Sequence, residues 1–205
     1  MSNARIAGAV AVAMVALSGC ADGNAPGDAT PPRGLDATTA DAVQQMRQGA
    51  SYEFVPYESP AAMEEAVDIA TAGKVVSLDE GVVADELDGR GIAVVGIEPT
   101  DTWKEDSEAP SVVYFQFPRA QNLSIDFYRD TLPIGTEIAM FGFDLSATSK
   151  LAEGDPGDIV YTLAPQGLFI PVPRDGLVNV WGEDTTSGGA WAGIDSIEDL
   201  AAALE

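Results

Sequence analysis

The stretch Pro60–Leu78 reads PAAMEEAVDIATAGKVVSL, and the point at which its helix ends decides the fold. Ser59 ahead of it has the side chain of an N-cap, and Pro60 suits the first helical position, where a missing N–H does no harm. AAMEEAVD continues as helix, and by pattern alone the helix runs on to Gly73, a residue type that commonly stops helices. From Lys74 the chain turns β-like, since Lys74–Leu78 (KVVSL) is short and β-branched.

Downstream, the pattern stays β. Ile92–Ile97 (IAVVGI) is another short apolar run, and Val112–Phe117 (VVYFQF) alternates, with Val113, Phe115 and Phe117 on one face and Tyr114 and Gln116 on the other. Glu137–Phe143 (EIAMFGF) and Ile159–Leu163 (IVYTL) follow. Leu168–Val172 (LFIPV) and Leu177–Trp181 (LVNVW) flank Pro173-Arg174-Asp175-Gly176, which is hairpin chemistry. Pro171 inside one of these runs calls for an edge position, because it has no N–H to donate. The last segment, DSIEDLAAAL, predicts a helix opened by a capping box at Asp195 and Glu198, with Ile197, Leu200, Ala201 and Leu204 on one face. Short strands at turn-punctuated spacing, with helices only at the two ends, predict a mainly β fold: a small barrel with an N-terminal helix and a short C-terminal helix.

The beginning of the chain is of another kind. MSNARIAGAVAVAMVALSG carries one cation, Arg5, and then an uncharged run from Ile6 to Leu17. This is a charged n-region followed by an h-region, shorter than the about 20 apolar residues that span a bilayer. It ends in Leu17-Ser18-Gly19-Cys20, with the only cysteine in the chain. A catalytic thiol needs an activating neighbour, usually His, and there is no His; an intramolecular disulfide needs a second Cys. LSGC resembles the lipobox of bacterial lipoproteins: a Leu, two small residues and an obligatory Cys. The resemblance implies cleavage before Cys20, diacylglycerol on its sulfur, and a protein anchored on the extracytoplasmic face of the cell membrane. Two or more acyl chains hold stably where one does not.

Residues 1–19 are thus expected to be the signal peptide, 20–50 a flexible tether, and 51–205 a single β-barrel domain. Ala21–Ala40 is, apart from Asn24 and Arg33, Gly, Pro, Ala, Asp and Thr with one large apolar residue, Leu35, too little to offset ordering entropy. About 30 residues of such chain reach roughly 30 Å. Within it, 41–48 (DAVQQMRQ) suits a helical turn or two. The chain holds 33 Asp and Glu against 10 Lys and Arg, a formal charge of −23. That repels nucleic acid and anionic headgroups. Solubility or salt adaptation explains it, and the alternative is a cationic partner such as calcium or a basic protein.

The order of the β segments resembles a group of bacterial secreted proteins whose domain is similar to the barrel of tissue inhibitors of metalloproteinases and netrin modules, a variant of the OB-fold. The carrying stretches are PAAMEEAVDIATAGKVVSLDEG, IAVVGIEPTDTWKED, SVVYFQF, LPIGTEIAMFG and IVYTLAPQGLFIPVPRDGLVNV, covering roughly residues 59–181. The resemblance implies a small antiparallel OB-like barrel. It also moves the first boundary: the helix stops near Val67, and Ile69–Leu78 forms one long strand through Gly73. The group's Lys-Gly after the second strand is replaced by Trp103-Lys104-Glu105, and the disulfides of the animal relatives are absent. Both departures argue against an inhibitor-like function.

Without His, serine-triad and His-ligated metal chemistry are excluded; one anchored Cys removes thiolate catalysis and zinc–thiolate sites. Glu153–Asp158 (EGDPGD) lacks the calcium-loop spacing and reads as a turn. There is no phosphate-binding Gly loop. Trp103, Trp181 and Trp191 are the candidate ligand-binding residues, a stacking platform of the kind OB-like modules use; the alternative places them in the core. Asn122-Leu123-Ser124 fits a glycosylation sequon and reads as a loop. The expected function is a non-enzymatic binding or envelope-associated module, without cofactor or metal, whose partner is an envelope protein or glycan and not nucleic acid. A cell-wall glycan hydrolase using two carboxylates is the alternative.

Overall fold

The computed structural model describes residues 37–48, 55–81, 91–105, 110–120, 122–144, 160–173, 175–182 and 188–204. The expected signal peptide, Cys20 and the EGDPGD turn lie outside the described residues. Pro31–Glu205 forms one compact unit.

Helix α1 spans Ala37–Gln48 and α2 Pro60–Ala66. Strands follow as β1 (Ile69–Gly81), β2 (Ile92–Glu105) and β3 (Val113–Pro118), then α3 (Ile125–Thr131), β4 (Glu137–Asp144), β5 (Val160–Val172), β6 (Gly176–Asn179), a 3-10 turn at Gly189–Trp191, and α4 (Ile197–Ala202). The sheet order is β3-β2-β1-β4-β5-β6, and β3 also pairs with β5, which closes β1 to β5 into a five-stranded barrel. The closure is parallel, Tyr114 opposite Val160 and Gln116 opposite Thr162, so the barrel is not purely antiparallel as expected. A closed five-stranded barrel of this order is OB-like.

The disputed boundary falls at Val67. Ser59 Oγ accepts the Ala62 N–H, and Val67 is already extended, with Asp68 N donating to Gly142 O of β4 at 2.9 Å. The physical reason lies in burial. Ile69, Ala70, Thr71, Ala72 and Gly73 are all buried. A helix buries only a stripe about 100° wide, whereas a strand covered on both faces buries every residue. Gly73 is required where β1 bulges against β2, since a Cβ there would lie 2.4 Å from the Glu98 carbonyl oxygen.

Two cores result. Inside the barrel lie Val75, Val95, Ile97, Phe115, Phe117, Ile138, Met140, Leu168 and Ile170. Outside β1, β4, β5 and β6 lies a second core in which Ala70, Ala72, Ala139, Phe141 and Phe169 meet Met63 of α2, Trp191 and Leu200 of α4. Small residues on the sheet let this second layer come close.

Several elements differ from expectation. Val160–Leu163 and LFIPV are one strand, β5, in which Ala164–Gly167 bulges: between Leu163 and Leu168 the partner on β4 moves only from Gly142 to Met140. Pro171 lies where β6 is its described partner, opposite Leu177, an edge position as expected. Helix α3 is an addition, capped by Ser124 of the sequon, whose Oγ accepts the Phe127 N–H at 3.2 Å. Its Tyr128 and Leu132 beside it belong to the barrel core. In α4 the N-cap is Ser196, not Asp195: Ser196 Oγ accepts the Asp199 N–H at 3.0 Å, and the Asp199 carboxylate accepts both the Ser196 hydroxyl and the Asp195 N–H. Helix α1 falls within the expected tether, yet Val43 and Met46 are buried in the barrel core and Arg47 Nε donates to Val180 O at 2.9 Å.

Candidate functional site

The three tryptophans do not share a surface. Trp181 is 7 % exposed in the barrel core, its ring centroid 5.3 Å from that of Phe117. Trp191 is 3 % exposed in the second core, stacked on Phe169 at 5.7 Å and donating Nε1–H to Tyr57 O at 2.9 Å. Trp103 is half-buried at the rim of that core, beside Phe141, with Nε1 donating to Asp101 Oδ2. Their rings are structural: two hold different layers together, and the third covers an edge.

The buried polar residues form ties between segments. Asn179 donates Nδ2–H to Gln166 O at 2.6 Å and accepts the Trp181 and Gly182 N–H groups on Oδ1. Gln166 is fully buried in the β5 bulge, and its Oε1 accepts the Tyr57 N–H at 2.9 Å. Its Nε2 has no hydrogen-bond partner among the described residues. Tyr128 accepts the Ala120 N–H on its hydroxyl at 3.0 Å, and burial pushes its phenol above the ordinary 10.0 against the opposing pull of that hydrogen bond and of Arg119. Arg119 pairs with Glu80 and donates to Leu123 O. These contacts lie within the scaffold.

Among the described residues, the outer side of β2 and β3 carries no covering layer. Val94, Tyr114 and Gln116 are half-exposed and belong to neither hydrophobic cluster. Tyr114 stands opposite Gly96 in the β2–β3 register. A Cβ on Gly96 would lie 3.0 Å from the Tyr114 ring and 2.7 Å from Ser77 Oγ. The ring therefore lies over the glycine backbone with Ser77 at its side, giving a flat aromatic patch with hydroxyl and amide groups around it. A ring presented in this way can stack on a base, a sugar or another planar group. The signal for it was in the alternation of VVYFQF and in a glycine inside IAVVGI, which marks close approach in a strand interior. Next to it, an open groove of about 440 Å³ follows β2, lined by Glu98, Pro99, Thr100, Asp101, Thr102, Pro110 and Ser111.

Among the described residues no cluster of three or more Asp, Glu, His or Cys side chains is placed to hold a metal ion. No helix among them is long and apolar enough to cross a membrane. No protein-family model matches the chain, and no curated protein sequence matches it either.

Proposed function

We propose that the chain is a lipoprotein anchored through Cys20 on the extracytoplasmic face of the membrane, and that its barrel is a non-catalytic binding module. The observation that carries the binding reading is the one-sided covering of the barrel. Helices α2 and α4 and Trp191 bury the outside of β1, β4 and β5, while Tyr114, Gln116 and Val94 on the outside of β2 and β3 stay half-exposed. The anchoring reading rests on LSGC at the end of an apolar run and on the absence of any second Cys or any His to give Cys20 another task.

Metabolic labelling with an alkynyl fatty acid tests the anchor. The wild-type protein takes the label and fractionates with membranes, and Cys20→Ala loses both properties; label retained by that variant overturns the reading. A calorimetric survey of envelope glycans and proteins tests the module. It is expected to find a partner whose affinity Tyr114→Ala lowers about tenfold, the size of one lost stacking contact. A survey that finds no partner counts against it.

A further inference from the structure

We propose that helix α1 is a releasable clasp on the tether: docked on the barrel it holds the domain close to the anchored Cys20, and released it lets the domain reach further out. This rests on the reading of Cys20 as the anchor of a binding module and adds a control on how far that module reaches.

Helix α1 carries little with which to hold on. Its sequence, ATTADAVQQMRQ, has two large apolar side chains, Val43 and Met46, and both are buried in the barrel core. Asp41, Gln44 and Gln45 are exposed. Arg47 in the last turn reaches the end of β6, where its Nε donates to Val180 O at 2.9 Å and its Nη2 to Asn179 O. A helix of 12 residues is marginal in water by itself, so α1 stays helical through these contacts. Strand β1 is held differently: every residue from Ile69 to Gly73 is buried, and the strand pairs with β2 on one side and β4 on the other. Elements that bury little apolar surface open before the rest of a fold and without it.

The place of α1 in the chain gives its opening a use. It stands between Cys20 and the barrel, so tension between the membrane and a bound partner falls on α1 before any strand. Past α1, the next fastening among the described residues is Tyr57, whose N–H donates to Gln166 Oε1 at 2.9 Å and whose carbonyl accepts Trp191 Nε1–H at 2.9 Å. Gln166 and Trp191 are both buried, so Tyr57 holds where α1 gives way, and Val55 just before it is exposed. With α1 docked, residues 21–36 separate the anchor from the domain and span at most about 55 Å; with α1 released, residues 21–56 do so and span at most about 125 Å. One short helix thus doubles the reach without disturbing a strand.

The test is amide hydrogen exchange on the full-length protein, followed by energy transfer from its tryptophans to a dansyl lipid once Cys20, the only cysteine, is coupled to a maleimide lipid in phosphatidylcholine vesicles. The expected result is that the amides of residues 41–48 exchange at least about a hundredfold faster than those of β1 and β4. Met46→Asp should bring residues 41–48 to the rate of an unfolded chain, leave β1 to β5 protected, and lower the energy transfer, because the tryptophans then stand further from the bilayer. Arg47→Gln, which removes both bonds to β6 and no buried apolar group, should speed exchange of residues 41–48 about fivefold to tenfold. Exchange of α1 in step with the barrel, loss of protection in β1 to β5 along with α1 in Met46→Asp, or energy transfer that neither variant lowers overturns the proposal. Chemical coupling puts the lipid on Cys20 whether or not a cell does, so failure of the alkynyl label overturns the anchor reading and leaves the release of α1 to be judged by exchange.

Discussion

The two outer faces of the barrel are made from different residues, and the difference explains why one is covered and the other is not. The covered face presents alanines, Ala70, Ala72, Ala139 and Ala164, between the rings of Phe141 and Phe169. Small side chains let a helix or a ring approach the sheet, and the phenylalanines give it something to bury. The other face presents Tyr114 lying over Gly96, with Ser77 and Gln116. There the ring already fills the hollow that a second layer would need, and hydroxyl and amide groups surround it. Two faces of one barrel thus have opposite fates because small residues stand alone on one and beneath a tyrosine on the other.

The strongest way to break the contrast is to remove the ring that closes the covered face. Trp191→Ala loses the stack on Phe169 and leaves Tyr57 O without its donor. The expected loss is about 3–5 kcal/mol in urea unfolding, the range for deleting a buried aromatic. A loss under about 1 kcal/mol would mean that the second core contributes little and that the covering is incidental.

Next comes a pair of glycines. Gly73 on the covered side faces the backbone carbonyl of Glu98, which cannot move without breaking the β1–β2 ladder. Gly73→Ala is expected to cost about 1–3 kcal/mol, as overpacking does. Gly96 on the open side faces a serine hydroxyl and the edge of a tyrosine ring, both on side chains that can rotate away. Gly96→Ala is expected to stay within about 1 kcal/mol, since the backbone entropy gained offsets part of the displacement. Equal losses would show that Tyr114 is as fixed as a backbone and that the open face is rigid.

This pair also shows what was legible in the sequence. The barrel was readable because its strands keep a period of two and its turns carry Pro, Gly and Asp, as in VVYFQF and PRDG. The boundary at Val67 was not readable from period alone, because Ile69–Gly73 is buried on both faces and a strand buried on both faces has no period. Helix α3 leaves little trace in the sequence for a related reason: it is only seven residues long, and its Ser124 cap stands inside a sequon that reads as a loop. The parallel closure of β3 on β5 depends on residues far apart in the chain and leaves no local mark. Of the candidate site, the alternation of VVYFQF carries the outward face of Tyr114 and Gln116, whereas a tryptophan's size does not by itself tell core from surface: Trp181 and Trp191 are buried and Trp103 is half-buried at a rim.

The smallest effect concerns the element that steadies the open side from within. Helix α3 ties to β1 through Arg129, whose Nε donates to Leu78 O at 2.8 Å and whose Nη2 pairs with Asp79, and its Tyr128 sits in the barrel core against Phe117. The Tyr128 phenol is raised above 10.0 in the fold, chiefly because burial penalises the anion. A native pKa above the unfolded one means that the unfolded chain loses its proton first. The stabilising contribution is therefore fully present below about pH 10 and is lost as the pH rises through the native value. Tyr128→Phe should flatten that alkaline slope while lowering stability at neutral pH by about 1 kcal/mol, since the Ala120 N–H loses its acceptor. Unfolding curves at neutral pH and above pH 10 separate the two effects. If the slope survives the substitution, another tyrosine carries it; if neutral stability does not change, the Ala120 amide has found water, and the end of the barrel beneath the open face is looser than its packing implies.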